Sequence, residues 1–348
     1  MKWSDVTAGT RLWRARSHLP LPANLPALDR VEAIERHIGT LALCFFLFSP
    51  LLRALDRFEA VEPHMGTLAR IIVYTSNKNQ AKQAFTKAFT RIGQLDDILS
   101  DYKPASEINR LCQTRSVIVS PDLYKVLEAS QRLAAESGGA FDITAAPLIR
   151  LWREVRKTRL LPTTLDQAQG RSGWRKLTLD DAHRKATLAE PGMLLDVGGI
   201  AKGYAASEAL AAITSTGIES ALVALSGDIA VSHSPPGAPG WPITLELAGG
   251  TRDITLHDAA VSTAGDTEQF VEIDGVRYSH IIDPRTGQAL TTRIAVSVVA
   301  PHGLEADGLD TAISVLGVKR GLELMKAHPK AWALIVTEEG VVETGHRP

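Results

Sequence analysis

The chain has 348 residues, of which 45% are hydrophobic and 22% charged. That is the composition of a soluble globular protein with length for one large or two ordinary domains. A formal net charge of −1 leaves no basic excess to neutralise phosphates, which argues against general nucleic-acid binding. The two cysteines, Cys44 and Cys112, lie far apart and form no metal-ligand spacing, and two alone do not define a disulfide framework.

The N-terminal region is unusual. Residues 41–52, LALCFFLFSPLL, are apolar and uncharged. A spanning helix needs about 20 such residues, so this run is too short to cross a bilayer, but it fits the apolar core of a signal peptide. A start at Val31 would leave a conventional region ahead of it. Two readings stand open. One is an export signal, which places the protein in the periplasm or cell envelope with any membrane association confined to this end. The other is a buried or disordered extension on a cytoplasmic protein. Cys44 sits inside the run and not after it, which argues against lipoprotein cleavage. Ala27–Ala42 matches Ala54–Ala69 at twelve of sixteen positions, and the offset occurs once, so it is a local duplication and not a repeat array. Residues 1–57 are therefore read as an atypical extension and 58–348 as the working domain.

From residue 66 the patterning is regular. TLARIIVYTS reads as a strand. Residues 80–99 read as an amphipathic helix, with Ala84, Phe85, Ala88, Phe89, Ile92, Leu95 and Leu99 at three- and four-residue steps. Ser120-Pro121 starts another helix, which Gly138-Gly139 stops. Residues 153–190 read as a polar connecting hairpin region. Met193–Val197 is expected as a strand, Ala201–Ile213 as a helix, and SALVALSGDIAV as a further strand. Strands are also expected at 241–247, 253–256 and 295–300, helices at Ala306–Leu316 and Lys319–Ala327, and a closing hairpin around Glu338-Glu339-Gly340. The mixture of hairpins and helices predicts an α+β fold over a parallel doubly wound sheet.

Several stretches could carry chemistry. The strand–glycine–helix unit at 194–206 presents backbone amides that suit an anion, although glycines there can simply relieve crowding. It matches neither standard phosphate-loop spacing. Asp307 and Thr311 stand at i and i+4, so a carboxylate and a hydroxyl share one helix face. They suit a hard cation such as Mg²⁺, or helix capping. GGAFDIT (138–144) sets an aspartate behind an aromatic. In SDYKPASEINRL (100–111), Tyr102 could stack on a flat ring and Ser106 could cap a helix. RYSHIIDPRTG (277–287) places His280 just before a turn; the turn either merely reverses the chain or aims the imidazole at a substrate.

Taken in order, HMGT (64–67), SDYKPASEINRL, GGAFDITAAPLIRLW, LDVGGIAKGYAAS, SGDIAVS, VSTAGD, YSHIIDPRTG and ADGLDTAISVLG resemble the FAD:protein FMN transferase family, also called ApbE. The resemblance runs over roughly residues 58–345. It implies a T-fold-like α+β architecture, with mixed or antiparallel sheets, packed helices and an FAD cleft. It also implies an Mg²⁺-dependent transfer of FMN from FAD to a Thr or Ser hydroxyl of a flavin-acceptor protein, with release of AMP. By motif match, Met65, Tyr102, Ala140, Phe141, Asp142, Asp196, Lys202 and Ile281 would contact FAD. The metal would lie among the Gly199 carbonyl, Asp307 and Thr311, and His280 would be the base. Hydrolysis of FAD to FMN and AMP, or non-catalytic FAD binding, are the rival readings. Ser226, Ala264, Ile143 and Cys112 depart from the family pattern, and the first repeat copy carries Ile38 where the second has Met65.

Overall fold

In TLARIIVYT, Ile71 and Val73 turn to one side of the strand and Ile72 to the other, and all three are buried. A strand buried on both faces needs a layer on each side of its sheet. The computed structural model describes residues 55–247, 250–265 and 269–348. The apolar segment 41–52, the first repeat copy and nearly all of the expected extension lie outside the described residues.

The hairpin β1 (Asp56–His64) and β2 (Thr67–Thr75) is followed by α1 (Lys78–Leu99), α2 (Glu107–Thr114), β3 (Ser116–Ile118) and α3 (Pro121–Glu136). Helices α4 (Ala146–Thr158) and α5 (Leu165–Gly170) lead to the hairpin β4 (Leu177–Asp180) and β5 (Lys185–Leu188). Then come α6 (Ala201–Thr214), β6 (Ser220–Leu225), β7 (Asp228–Val231), β8 (Trp241–Leu247), β9 (Gly250–Leu256) and β10 (Ala259–Gly265). Two small hairpins, β11 (Phe270–Ile273) with β12 (Val276–Ser279) and β13 (Ile282–Asp283) with β14 (Gln288–Ala289), precede β15 (Ile294–Ala300) and α7 (Gly303–Met325). The hairpin β16 (Trp332–Thr337) and β17 (Gly340–Thr344) follows.

The main sheet runs β1-β2-β6-β7-β10-β15-β16-β17, and every neighbouring pair is antiparallel. On one face, Ile71, Val73, Val223, Val296, Val298 and Ile335 share a core with apolar residues of α1, α6 and α7. On the other, Ile72, Leu222, Val299, Leu334 and Val336 pack against Trp241, Ile243 and Leu256 of the β8–β9 hairpin. Helices, sheet and hairpin form three layers, and the fold is α+β as the patterning predicts. Among the described residues no helix is long and apolar enough to cross a membrane.

Three expectations need correction. Met193–Val197 forms no strand: Met193, Leu195 and Val197 are buried in the helix-side core, but the segment enters no sheet, and Asp196 donates its backbone N–H to Ile143. SALVALSGDIAV is two strands, because Ser226-Gly227 reverses the chain and pairs Leu225 with Asp228. Ser226 sits at φ 60°, a conformation that costs a non-glycine residue about 1–2 kcal/mol. Residues 153–190 hold the β4–β5 hairpin but also the end of α4 and all of α5. Leu148, Trp152 and Val155, buried on α4, show a helical period that the polar residues between them mask. Strands β1 and β10 are additional. The caps stand as expected: Ser106 accepts from Asn109 N–H and Ser120 from Leu123 N–H, and Gly138 and Gly139 take positive φ after α3. The two C-terminal helices run as α7, broken at Gly317 by a non-helical φ of 71°.

Just past α7, His328 ties two helices together. Its Nδ1 lies 2.8 Å from Glu305 and its Nε2 3.1 Å from Glu136 of α3. The Glu305 bond raises the histidine pKa above 6.5, and the same bond holds Glu305 below 4.5. The histidine's contribution to stability is complete below 6.5 and fades as pH rises through its raised value. The Glu305 contribution is complete above 4.5 and fades as pH falls through its lowered value. The clamp is therefore fullest between 4.5 and 6.5. A His328→Gln variant is expected to lose thermal stability most in that window, with the gap to wild type narrowing as pH rises. A melting-temperature gap that does not change with pH would contradict this.

Candidate active site

Helix α6 begins after Val197-Gly198-Gly199-Ile200, and its N-cap residue Ile200 offers no side-chain acceptor. The open first-turn donors are served from another helix: Gly203 N–H donates to Asp307 Oδ2 of α7 at 2.9 Å. The two helices can approach this closely because both contact residues are glycine. A Cβ on Gly203 would lie 2.1 Å from the Gly303 carbonyl oxygen. Thr311 stands one turn beyond Asp307, and a Cβ on Gly199 would meet its Oγ1 at 2.8 Å. The three expected metal-binding residues, Gly199, Asp307 and Thr311, are thus gathered at the start of α6.

Charge is concentrated there. Lys202 Nζ donates to Asp228 Oδ2 at 2.7 Å, and the nearby carboxylates of Asp228, Asp307 and Asp310 keep the ammonium protonated. Asp307 is buried, and burial, with the Asp228 charge, pushes its carboxyl up to about 8. Ser262 Oγ lies 2.7 Å from Asp228 Oδ1 and 2.6 Å from Asp310 Oδ2. One hydroxyl proton cannot serve two carboxylates, so a carboxyl carries a second. Asp310, raised well above its ordinary range by burial and by Asp307, is the holder. Thr311 Oγ1 in turn donates to Asp310 Oδ1 at 3.3 Å.

These donors fit a hard divalent cation. Among the described residues no three His, Cys, Asp or Glu side chains could hold a metal by themselves. The set available is one carboxylate, one hydroxyl and a backbone carbonyl, which is how Mg²⁺ binds when substrate phosphates and water complete its shell. A divalent ion bound here would favour the ionised Asp307 carboxylate that burial otherwise disfavours.

A second group forms around α4. Arg153 bonds Asp101 at 2.7 Å and Asp196 at 2.6 Å, and its guanidinium lies 4.6 Å from the centroid of the Tyr102 ring. The ring is 74% exposed, so a cation backs it while a broad surface stays open to a flat partner. Asp196 also accepts from Gly198 N–H at 2.8 Å, which joins this group to the glycine turn before α6. Burial and the Asp101 charge raise the Asp196 carboxyl, and Arg153 opposes them. Arg153 carries no sequence signal because it opens the polar stretch 153–190, and Asp101 because only the fold brings it to Arg153.

Ala140 and Ile281 pack together with Val315 of α7, and Phe141 is buried in the helix-side core. Asp142 accepts from Thr144 N–H and Oγ1 at 2.8 and 2.6 Å, and burial raises its carboxyl. Its visible task is therefore to cap the short turn that follows. Met65, at φ 48°, forms the β1–β2 turn with Gly66 at φ 72° and packs partly against the main core.

His280 is held on two sides. Asp283 binds the Arg285 guanidinium at 2.7 Å and accepts the Arg285 backbone N–H at 2.9 Å. Trp152 Nε1 and Gln169 Nε2 donate to Gly287 and Pro284 carbonyls, each at 2.8 Å, which fixes the turn to α4 and α5. The ring itself is held by Gln269 and not by the turn: the Gln269 carbonyl accepts from His280 N–H at 3.0 Å and lies 3.2 Å from Nδ1. A carbonyl only accepts, so Nδ1 carries the hydrogen and the Nε2 lone pair is left for chemistry. Burial lowers the His280 pKa, and the charges of Arg156 and Lys202 lower it further. The lowered value favours the neutral imidazole at pH 7.

The description "ApbE family" belongs to a family model that matches residues 65–335. A Treponema pallidum protein named FAD:protein FMN transferase is 32% identical over 292 residues, covering 77% of this chain and 81% of the relative. A Salmonella typhimurium protein of the same name is 29% identical over 284 residues, with the same coverage. Among solved structures, the flavin transferase ApbE from Vibrio cholerae superposes with a TM-score of 0.74 at 28% identity, over 83% of this chain and 97% of that one. The apo flavinyl transferase ApbE of Pseudomonas stutzeri gives 0.74 at 28% identity, over 84% and 95%. A family match across most of the described fold, together with relatives above 30% identity, settles descent: this chain belongs to the ApbE family.

Proposed function

We propose that this protein transfers FMN from FAD to a threonine or serine hydroxyl of an acceptor protein and releases AMP. The observation that carries the reading is the meeting, at the start of α6, of Lys202, Asp307 and Thr311, and His280 is proposed as the base that acts with them. The names of the relatives point to the same donor and to a protein acceptor.

Tyr102 offers a stacking surface for a flat ring of FAD, and Ala140, Phe141 and Ile281 are proposed to contact the cofactor as well. Met65 is proposed to flank the cofactor, and Asp142 and Asp196 to accept hydrogen bonds from it. The α6 amides and Lys202 meet the negative charge of the diphosphate. His280 Nε2 takes the proton of the incoming hydroxyl, whose oxygen attacks the FMN-side phosphorus. The bond from that phosphorus to the AMP oxygen breaks, and AMP leaves as an anion that needs little protonation. Gly199, Asp307 and Thr311 would hold Mg²⁺, which when bound neutralises charge on phosphoryl oxygens.

The direct test is incubation with FAD, Mg²⁺ and a candidate acceptor protein, followed by in-gel fluorescence of the denatured acceptor and assay of AMP. The expected result is a covalent flavin adduct with AMP in equal amount. AMP release at the same rate with the acceptor omitted identifies a hydrolase, and FAD that survives prolonged incubation identifies a binding protein.

A further inference from the structure

Gln269 does two jobs through two different atoms. Its backbone carbonyl holds His280 by the main-chain N–H at 3.0 Å and by Nδ1 at 3.2 Å. Its side-chain Oε1 accepts from Arg156 Nη1 of α4 at 3.1 Å. One residue therefore fixes both a catalytic-site imidazole and a guanidinium relative to each other. Arg156 is half-buried, and no carboxylate among the described residues forms a salt bridge with it. Three residues earlier on the same helix face, Arg153 is neutralised by Asp101 and Asp196. Among the described residues the two arginines are thus treated oppositely: one is paired with carboxylates, and the other is tied through Gln269 to the histidine.

A cation held near a base has a definite consequence. A charge that disfavours the imidazolium keeps the lone pair available at lower pH, as long as the cation cannot swing away. An arginine side chain is long and rotamer-rich, so without a tether its field at the ring would be diluted by motion and solvent. We propose that Arg156, tethered by the Gln269 side chain, is a positioning residue that keeps His280 Nε2 in its proton-accepting form while Gln269's carbonyl selects the tautomer. Among the described residues, the charged groups that act on His280 are Arg156 from α4 and Lys202 from α6, and both act in the same direction. Asp283 and Arg285 on its own turn pair with each other. The proposal rests on the reading of His280 as the base.

The test uses full-length protein and two readouts. The first is the midpoint of the His280 imidazole in an NMR titration, followed in wild type, Arg156→Gln and Arg156→Lys. The second is the pH profile of FMN transfer at saturating FAD and acceptor for the same three proteins. Arg156→Gln is expected to move the imidazole midpoint to higher pH and to slow transfer several-fold on the acidic limb, on the order of threefold to tenfold, while the plateau at higher pH is kept. Arg156→Lys, which retains the charge, should restore most of the acidic limb. Gln269→Leu keeps the carbonyl and frees the guanidinium, and it should reproduce the Arg156→Gln profile in part. An unchanged imidazole midpoint in Arg156→Gln overturns the proposal, as does a loss of rate that is equal at every pH. If His280→Ala transferred FMN at the wild-type rate, the base reading itself would fail. The titration midpoint would then still report whether Arg156 and His280 are coupled.

Discussion

Asp307→Ala is expected to abolish FMN transfer, with a loss of about 10³-fold or more. Asp307 has two tasks, and the variant removes both. It accepts the Gly203 N–H at the first turn of α6, and it contributes the only carboxylate among the three residues proposed to hold Mg²⁺. Loss of the cap alone costs about 1 kcal/mol, too little to account for a loss of activity of that size. Asp307→Asn separates the two tasks, because an amide oxygen can still accept from Gly203 while the charge is gone. Asn should therefore leave the fold intact and remain nearly as inactive as Ala. Asn also replaces a buried carboxyl whose ionisation burial already disfavours, so the Asn variant is expected to unfold no more easily than wild type in the absence of metal. Transfer at the wild-type rate by Asp307→Asn, measured by adduct fluorescence, would refute the metal assignment.

His280→Ala is expected to slow transfer by about 10²–10⁴-fold, the range that a positioned general base contributes, and to leave FAD affinity near that of wild type. The geometry supports this separation. The ring is held by a backbone carbonyl and not by a network that other elements depend on. The turn that follows it is fixed independently by Trp152, Gln169 and the Asp283–Arg285 pair. Deleting the imidazole thus removes a proton acceptor without loosening the segment. Fluorescence titration with FAD and single-turnover transfer, run on the same preparation, distinguish the cases. Equal losses in binding and in transfer would show that His280 is structural.

Much of the fold follows from local rules. The α1 stripe of Ala84, Ala88, Phe89, Ile92, Leu95 and Leu99 is buried as its spacing requires, and the Ser106 and Ser120 caps act through the oxygens that mark them in the sequence. The shared face of Asp307 and Thr311 was legible because helical periodicity alone sets it. Other features depend on contacts between distant parts of the chain. No pattern near Gly203 reveals that Gly303 lies against it, or that Asp307 serves a helix that begins a hundred positions earlier. Arg153 and Arg156 carry no clear sequence signal because six polar or charged residues among the thirteen of α4 dilute its apolar stripe. Gln269 carries no sequence signal at all, since a backbone carbonyl holds His280 and any residue has one. The expected strand at Met193–Val197 failed for a related reason: alternation requires two burial environments but does not supply a neighbouring strand to pair with.

The account stands on the placement of the FAD diphosphate at the start of α6, between Lys202 and the oxygens of Asp307 and Thr311. A crystal of the protein grown with FAD and Mn²⁺, with the metal located by its anomalous scattering, measures this directly. The predicted result is a single metal peak in contact with Asp307, Thr311 and the Gly199 carbonyl, with a diphosphate oxygen bound to it and the FMN-side phosphorus facing His280 Nε2. A diphosphate bound elsewhere, with no metal at Asp307, would contradict the account.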